Sequence, residues 1–343
     1  MPVLNAAEYL REAMDSVLAQ SLGDFELVVV DDGSTDATRE ILQEYRDPRI
    51  IFVQNEKTAG LSANLNRIMR IARGQYVARM DGDDICMSHR FATQVKYLEE
   101  HPDISICGTW FETGFGRKWR AVKYPTNADA IAAVLLFYSP IAHPSVMLIR
   151  SKWVECELSY DETFSAAQDY DVWVRASRKM RLGNVPEVLM RIRVHPGSTT
   201  VARASTQRRI GALIRKRQVE ELGIYPDDES MMLHESLSNG RFGRGLSYVR
   251  QARRWMELLR EKNDIAGLFP HGPFDYLLHE KWFKVCAYNL ICGLEIWREW
   301  KSSRLHEIGN PGFFQHVRWL ARSVGKRLIY SITPDPPGDM SRP

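Results

Sequence analysis

Short apolar runs alternate with segments of helical periodicity between residue 1 and residue 200. Three apolar runs predict buried β-strands: residues 25–30 (FELVVV), 49–53 (RIIFV) and 75–80 (QYVARM). Apolar residues recur at helical spacing in the intervening segments, which are residues 6–20, 37–45 and 61–72. The resulting order β-α-β-α-β is typical of an α/β fold in which helices flank a parallel sheet.

A sheet of this kind needs a central first strand. Only the apolar residues 1–3 (MPV) are available before the first helical segment, and they are too short for that strand. We therefore expect the first strand to be truncated and the true start of the protein to lie upstream.

The pattern changes near residue 200, after which apolar residues follow helical spacing in residues 207–222, 246–262 and 275–300. Residues 1–200 carry a net charge of −4, with 23 basic and 27 acidic side chains, whereas residues 201–343 carry +7, with 23 and 16. Such a basic region suits phosphates, anionic lipid headgroups or an acidic partner, and the alternative is a solvated helix surface. We predict three parts: an α/β domain (1–200), a basic helical extension (201–330) and a flexible tail (331–343) rich in proline and glycine.

The composition argues against several classes of protein. The chain has 343 residues, 44% apolar and 26% charged, which is ordinary for a globular protein. The cysteines are scattered without a CxxC pair, which argues against a disulfide framework or a zinc site and favours the cytoplasm: Cys86, Cys107, Cys156, Cys286 and Cys292. No run approaches the roughly 18 apolar residues that span a bilayer, and the start lacks the regions of a signal peptide. We therefore expect neither a membrane span nor export.

Acidic side chains follow two of the predicted strands. Asp31 and Asp32 come directly after residues 25–30, and residues 81–84 (DGDD) follow residues 75–80. Ligands of open α/β sheets bind at the carboxyl ends of strands, so both acidic clusters should line one crevice. Three carboxylates within four residues favour a compensating Mg²⁺ or Mn²⁺ ion, which prefers oxygen ligands and shares them with phosphates. The alternative for DGDD is a polar turn that caps the following helix.

Six blocks of sequence resemble the inverting glycosyltransferases of family 2, which have the GT-A fold. The blocks are residues 1–10 (MPVLNAAEYL), 28–36 (VVVDDGSTD), 55–66 (NEKTAGLSANLN), 78–91 (ARMDGDDICMSHRF), 141–146 (IAHPSV) and 168–176 (QDYDVWVRA). Their order and spacing are similar to those of the family. The resemblance implies an α/β GT-A fold, Rossmann-like, with a mixed, mostly parallel sheet flanked by helices and, here, a C-terminal helical extension.

The resemblance also implies which residues contact a nucleotide-diphospho-sugar. Asp32 would accept a hydrogen bond from the nucleotide base, usually uracil, while Asp31 and Ser34 would shape that turn. The remaining donor contacts are expected at Pro2, Val3, Asn55, Arg79, Asp81 and Gly82.

A metal site follows from the same resemblance. Asp83 would bind Mn²⁺ or Mg²⁺ together with Asp81 and His195, and Asp84 would support the loop. A neutral imidazole at His195 could ligate the ion or touch the diphosphate, and the alternative is a partly buried structural histidine.

Asp169 matches the catalytic base of the family. An acceptor hydroxyl must lose its proton as it attacks the anomeric carbon, and a carboxylate within hydrogen-bond reach serves as general base. The family more often has Glu-Asp where this chain has Gln168-Asp169, so a like charge that could raise the pKa of the aspartate is absent. This departure makes Gln168 a candidate acceptor-side residue. His143 resembles another, although Pro140 and Pro144 around it also fit a rigid turn.

These expectations combine into a metal-dependent inverting glycosyltransferase. It would move a sugar from a nucleotide-diphospho-sugar, with a UDP-sugar favoured, to a hydroxyl of a saccharide or lipid-linked saccharide. The expected setting is cell-surface glycan synthesis on the cytoplasmic side of a membrane. The alternatives are a non-catalytic nucleotide-sugar-binding or scaffolding protein and a nucleotidyltransferase, although the sequence has no glycine-rich basic phosphate loop for the latter.

The basic extension offers a peripheral contact with the inner face of a membrane. Basic side chains would meet anionic headgroups and aromatic side chains would lie at the interface: Arg208, Arg209, Arg215, Lys216, Arg217, Trp282, Phe283, Trp297 and Trp300. The alternative is a helical cap that packs its aromatics internally. Nucleic acid is not an expected partner, because the basic residues are interleaved with apolar helix positions.

Overall fold

The computed structural model describes residues 1–116, 118–195, 197 and 203–308. They divide into two compact units, Met1–Arg217 and a unit that begins at Gln218. This division falls later than the predicted boundary after residue 200, because Ile210 and Ile214 still belong to the hydrophobic core of the first unit. The predicted flexible tail, residues 331–343, lies outside the described residues.

The first unit combines strands and helices in alternation. Its strands are β1 (Pro2–Val3), β2 (Leu27–Asp31), β3 (Ile50–Gln54), β4 (Tyr76–Ala78), β5 (Ile85–Cys86), β6 (Ile104–Phe115), β7 (Lys118–Val122), β8 (Met147–Ile149) and β9 (Arg181–Arg193). Its helices are α1 (Leu10–Leu18), α2 (Thr38–Glu44), α3 (Leu61–Ile71), α4 (Arg90–Glu100), α5 (Ala128–Val134), α6 (Arg150–Glu155) and α7 (Gln168–Ser177), and α8 (Ala204–Glu221) contains the division between the units. A 3-10 turn spans His143–Ser145. The strands and helices predicted before residue 80 all form.

Strands β1, β2 and β3 form a parallel sheet in that order. β2 is buried along its whole length, as expected for a parallel strand with apolar side chains on both faces. Helix α1 packs its apolar side in one core with Val29, and α3 places Ile68 with Val28 and Val30 in another. The parallel sheet therefore carries helices on both faces, and β2 delivers Asp31 at its carboxyl end.

The first strand is short, as expected, yet it pairs with the sheet. Pro2 lies opposite Val30 and Val3 lies opposite Asp31. The backbone N–H of Asp32 donates to the carbonyl oxygen of Val3 at 2.9 Å. Two residues therefore suffice to pair with the fully buried β2, although β1 lies at the edge of this sheet and not at its centre.

The second sheet has the order β4-β8-β6-β9-β5, with β7 paired to β6. β6 and β9 run parallel, whereas β4–β8, β8–β6, β9–β5 and β6–β7 are antiparallel. The mixed α/β class is confirmed, but the strand directions differ from the expected mostly parallel sheet. The reason is that β8, which follows the turn His143–Ser145, runs antiparallel to β4 and places Met147 opposite Ala78.

Strand β9 pairs irregularly with β6. Thr109 lies opposite Val185, Trp110 opposite Val188 and Phe111 opposite Met190, so two steps along β6 correspond to five along β9. The exposed residues Pro186 and Glu187 lie in this bulged stretch, where a proline removes no hydrogen bond of the ladder. Beyond the bulge, β9 continues to Arg193 and reaches the loop that follows β4.

The second unit is helical where it is described. Its helices are α9 (Asp228–Asn239), α10 (Leu246–Ala266), α11 (His271–Asn289), α12 (Leu294–Ser302) and α13 (Arg304–Ile308). Gly293, with a φ of 109° that favours glycine, separates α11 from α12, so the helical segment predicted over residues 275–300 is divided. Among the described helices, none has the length and apolar character needed to cross a bilayer.

Two aromatic side chains predicted to lie at a membrane interface are buried instead. Trp282 and Trp300 are both 0% exposed, and their ring centroids lie 6.3 Å apart. Arg215, predicted to meet lipid headgroups, is also buried and donates to the carbonyl oxygen of Phe137 at 3.3 Å. For these three residues the membrane prediction is wrong, because packing inside their own units has taken the side chains out of solvent.

Candidate active site

Three carboxylates cluster in the loop between β4 and β5. One ligand oxygen from each of Asp81, Asp83 and Asp84 lies within 4.8 Å of the others. A Cβ atom at Gly82 would lie 2.7 Å from Cγ1 of Val3, so glycine at this position lets the loop pack closely against β1. The predicted donor residues Val3 and Gly82 therefore meet beside the carboxylate cluster.

The end of β9 forms another side of the cluster. Nε2 of His195 lies 3.0 Å from Oδ2 of Asp83. The backbone N–H of Arg193 donates to Oδ1 of Asp84 at 3.0 Å, and its guanidinium donates to the carbonyl oxygen of Asp83 at 2.6 Å. The ring of Tyr9 lies 4.8 Å from the His195 ring and 5.0 Å from the Arg193 guanidinium carbon. Strand β9 and the start of the chain thus hold the acidic loop in place.

Burial and mutual repulsion raise the pKa of two carboxyl groups in this cluster. Loss of solvent is the largest cause for Asp81, the charge of Arg79 opposes it, and the charge of Asp83 adds to it. Loss of solvent and then the charges of Asp81 and Asp83 hold the pKa of Asp84 well above its usual range. Ionising all three carboxyl groups is therefore costly without an additional cation.

The donor atoms of the cluster fit a hard divalent cation. Oδ2 of Asp84 is buried and has no hydrogen-bond partner among the described residues. Carboxylate oxygens are the ligands that Mg²⁺ and Mn²⁺ prefer, and the imidazole of His195 at Asp83 is compatible with Mn²⁺. The unpaired buried oxygen of Asp84 adds to the negative charge that such an ion would offset.

Arg79, directly after β4, is paired with this cluster. Its Nη1 atom donates to Oδ2 of Asp81 at 2.5 Å, and its Nη2 atom contacts the other carboxylate oxygen of Asp81. The backbone N–H of Arg79 donates to the carbonyl oxygen of Val146 at 2.8 Å. Its own carbonyl oxygen accepts from Nη2 of Arg90 at 2.9 Å. The backbone of Arg79 is therefore fixed on both sides, and its guanidinium lies 8% exposed against Asp81.

The predicted base, Asp169, lies in the first turn of α7. Ala167 precedes the helix with a φ of 54°, a left-handed conformation that is uncommon for a residue with a side chain. Loss of solvent raises the pKa of the Asp169 carboxyl, while the backbone N–H of Tyr170 and the charge of Arg79 oppose the rise. Arg79 therefore acts electrostatically on Asp169 as well as on Asp81, and Gln168 lies buried next to Asp169 at the start of the helix.

His143 lies in a buried aromatic cluster. Its Nε2 atom is 3.0 Å from the hydroxyl oxygen of Tyr160, and its ring meets Trp173 edge-on at 5.9 Å between centroids. Loss of solvent, with the charge of Arg79, holds the pKa of His143 well below its usual range. The imidazole is therefore neutral. His143 is also the first residue of the 3-10 turn. The two interpretations of His143, as an acceptor-side residue and as part of a rigid turn, are therefore compatible.

The carboxylate of Asp32 is held by the segment that begins α3. It accepts from Nδ2 of Asn55 at 2.8 Å and from the backbone N–H groups of Ala59 and Gly60 at 2.7 and 3.0 Å. Burial raises its pKa, but the polar groups of Asn64, Ala59, Asn55 and Gly60 outweigh burial, so the pKa is lowered. Asp32 is thus ionised and oriented. These contacts occupy three of the roughly four acceptor positions of a carboxylate.

Asp31 and Ser34 shape the neighbouring turn by direct contacts. Oδ1 of Asp31, which is 0% exposed, accepts from the backbone N–H of Ser34 at 3.0 Å. Oγ of Ser34 accepts from the backbone N–H of Asn5 at 2.9 Å, which connects the turn to the segment after β1. The turn after β2 is therefore built from residues 1–10 and 28–36, the first two of the sequence blocks that carry the family resemblance.

The structure brings the predicted site residues together in three groups. In the first group, His195 contacts Asp83, and Asp81 of the same cluster contacts Arg79. The second group is Asp169 and His143, which lie within electrostatic range of Arg79. The third group is the pair of Asp32 and Asn55 at the end of the parallel sheet. The sequence prediction missed Arg90, Arg193 and Tyr160. Alternation in RIRVH could have indicated Arg193, which shares a strand face with residue 195. Arg90 and Tyr160 carry no comparable signal, because their contacts join segments far apart in the chain.

Comparisons with known proteins agree with the resemblance. The sequence model of glycosyl transferase family 2 matches residues 1–158. An uncharacterized glycosyltransferase of Methanocaldococcus jannaschii is 32% identical over 210 residues, which cover 59% of this chain and 71% of that relative. The chain belongs to glycosyltransferase family 2. An uncharacterized glycosyltransferase of Haemophilus influenzae is 30% identical over 228 residues, which cover 63% of this chain and 70% of the relative.

A solved structure shares the fold of this family 2 glycosyltransferase. Staphylococcus aureus TarS in complex with UDP-GlcNAc superposes with a TM-score of 0.56 at 18% identity, over 87% of this chain and 90% of that one. The predicted GT-A architecture is confirmed. The family membership also makes the chain a glycosyltransferase enzyme, so the non-catalytic and nucleotidyltransferase alternatives are set aside.

Proposed function

We propose that this family 2 enzyme transfers a sugar from a nucleotide-diphospho-sugar to an acceptor hydroxyl with inversion at the anomeric carbon, and that it depends on a divalent metal ion. The observation that carries the proposal is the cluster of Asp81, Asp83 and Asp84, whose ligand oxygens lie within 4.8 Å of one another. Such a concentration of negative charge, of which Asp84 is buried, suits a cation shared with a diphosphate. A UDP-sugar is the favoured donor.

Asp81, Asp83 and His195 would hold the metal ion, Mn²⁺ or Mg²⁺. When bound, the ion supplies charge neutralisation for the departing diphosphate. Asp84 would support the loop that carries this set, because one of its oxygens accepts from the backbone N–H of Arg193. The short contact between His195 and Asp83 supports the assignment of the histidine to the metal site.

The donor nucleotide would lie along the carboxyl ends of β1 and β2. Asp32, already ionised and oriented by Asn55, offers its remaining acceptor position to the N–H of a base such as uracil. Asp31 and Ser34 would shape the pocket wall. The backbone around Pro2 and Val3 would line the same cleft, together with Gly82, which packs against Val3, and Arg79.

Asp169 would remove the proton from the acceptor hydroxyl. Loss of solvent raises the pKa of its carboxyl group, which makes it a better proton acceptor than an exposed aspartate. Gln168 and the neutral His143 would orient the acceptor. Neither adds a charge, so they hold a saccharide hydroxyl by hydrogen bonding without competing for its proton.

The acceptor is proposed to be a saccharide or lipid-linked saccharide in cell-surface glycan synthesis, reached from the cytoplasmic side of a membrane. Arg208 and Arg209 of α8 are exposed and remain available for a peripheral contact with anionic headgroups. The buried Trp282, Trp300 and Arg215 are not part of this proposal.

The test is donor binding and donor hydrolysis with a panel of UDP-, GDP- and dTDP-sugars, with and without Mn²⁺. One donor class should bind only with Mn²⁺, and Asp83→Ala should abolish that binding. Asp169→Asn should keep donor affinity while turnover falls by about 10²–10⁴-fold. The matched control is Asp24→Asn, which changes an exposed aspartate. Absence of donor binding under every condition, or full turnover by Asp169→Asn, would contradict the proposal.

A further inference from the structure

The guanidinium of Arg79 is paired with the Asp81 carboxylate, which is one of the proposed metal ligands. Both terminal nitrogens contact the two oxygens of Asp81, in the bidentate arrangement that makes arginine–carboxylate pairs strong. The Arg79 residue is 8% exposed, so solvent screens this pair only weakly. Any cation that approaches Asp81 must therefore compete with a cation that is already part of the chain.

The backbone of Arg79 is held by contacts other than the one between its side chain and Asp81. Its backbone is held independently by Val146 and Arg90, at 2.8 and 2.9 Å. The remaining nitrogen, Nε, is buried and has no hydrogen-bond partner within the described residues. Arg79 thus has a fixed backbone, two Nη atoms paired with Asp81 and an Nε atom without a partner. A new anion that enters the cleft would offer these nitrogens other acceptors.

The charge of Arg79 reaches both halves of the site. It acts on Asp81 and Asp84 in the acidic loop, and on His143, Tyr160 and Asp169 on the side of the base. A single guanidinium charge therefore acts both on the carboxylates that would bind metal and on the carboxylate that would accept the proton.

We propose that Arg79 is a resident counter-ion that holds Asp81 until donor and metal bind together, and then exchanges Asp81 for the donor diphosphate. The inference rests on the proposed function, because it assumes that the acidic loop binds a divalent cation. In this scheme Arg79 is a positioning residue. It makes metal binding weak in the absence of a diphosphate and strong in its presence, since the incoming diphosphate brings the negative charge that releases Asp81 to the metal ion.

The test is the affinity for Mn²⁺ of the full chain, measured by calorimetry or by the electron paramagnetic resonance of free Mn²⁺, with and without UDP. Replacing Arg79 by Gln removes the competing cation, so Mn²⁺ should bind about tenfold tighter without UDP. The gain in Mn²⁺ affinity on adding UDP should shrink correspondingly. A purely structural role of Arg79 predicts the opposite sign, because a damaged site binds Mn²⁺ more weakly.

Two further variants keep the result interpretable. Arg79→Lys retains one charge but cannot bridge both oxygens, so it should tighten Mn²⁺ binding less than Arg79→Gln, and it decides the matter if Arg79→Gln does not fold. Arg191→Gln removes the partner of Glu112, outside the acidic loop, and should leave Mn²⁺ affinity unchanged. Unchanged or weaker Mn²⁺ binding by folded Arg79 variants overturns the inference. Absence of Mn²⁺ binding by the wild-type chain, with or without UDP, overturns the proposed function instead.

Discussion

Nε2 of His195 lies 3.0 Å from Oδ2 of Asp83, although 112 positions separate the two residues in the chain. The contact exists because β9 runs past the end of β5 and ends beside the loop after β4. Tyr9 packs against the imidazole from the side of α1. A histidine held in this way, with one nitrogen at a carboxylate of an acidic cluster, is placed to complete or support a metal site.

Replacing His195 by Gln should therefore weaken Mn²⁺ binding in the presence of UDP by about 10–100-fold, the range typical of residues that support metal ligands. The measurement is a Mn²⁺ titration of the UDP-saturated chain. His89→Gln is the matched control, since His89 lies 2.8 Å from the exposed Glu187 in a similar histidine–carboxylate pair away from the acidic loop. Equal effects of the two substitutions would show that His195 has no role at the metal site.

The pH dependence of turnover should reflect Asp169. Burial raises its pKa, and only the ionised carboxylate can accept a proton, so kcat should fall as the pH decreases through that raised value. The charge of Arg79 opposes the rise, so Arg79→Gln should move this acid limb to higher pH. The measurement is kcat against pH with Mn²⁺ and donor saturating at every point. An acid limb that stays at the same pH in Arg79→Gln would contradict this electrostatic connection.

Asp84→Asn should stabilise the metal-free chain while it impairs metal binding. The amide oxygen can still accept from the backbone N–H of Arg193, and the substitution removes a buried charge that repels Asp81 and Asp83. We expect the free energy of unfolding in a chelator to rise by about 1 kcal/mol. Urea unfolding would measure it, with Asp24→Asn as control. With Mn²⁺ and UDP the order should reverse, because the wild-type chain gains more stability from binding than the variant. A loss of stability in the chelator would show that Asp84 is not strained.

Arg90→Met should destabilise the first unit strongly. The guanidinium, 0% exposed, donates to the carbonyl oxygens of Arg79 and Val146 at 2.9 and 3.1 Å and to Oε1 of Gln94 at 2.8 Å. Methionine fills much of the space but leaves the carbonyl oxygen of Arg79 and Oε1 of Gln94 without this partner, so we expect a loss of about 3 kcal/mol in the free energy of unfolding. Urea unfolding is the measurement, and Arg46→Met, at an exposed arginine, is the control. A loss below about 1 kcal/mol would mean that water replaces the guanidinium.

Local periodicity explains which parts of the fold the sequence predicts. β2, β3 and α3 follow from the apolar pattern of their own residues, and the carboxyl ends of the strands then indicate where acidic side chains gather. The antiparallel partner of β4 is not predictable in this way, because β8 lies about seventy residues later and a three-residue strand has little periodicity of its own. The same limit applies to Tyr160, whose contact with His143 depends on the packing of α6 and α7 rather than on any sequence pattern.

The candidate site residues also differ in whether the local sequence could predict them. Asp81, Asp83 and Asp169 could be proposed because acidic residues in a known block are distinctive. The bidentate contact of Arg79 with Asp81 could not be predicted, since it depends on a side-chain conformation, and Arg90 could not be predicted because a buried arginine looks like a surface residue in the sequence.

The bulge in β9 also constrains how this part of the chain can change during evolution. Side chains alternate across a strand, so inserting or deleting one residue near Pro186 would turn every later side chain of β9 to the opposite face, unless the bulge absorbed the change. Arg193 and His195 would then point away from Asp83 together. Around this bulge, length changes of two residues should be tolerated among functional relatives, whereas changes of one should be rare.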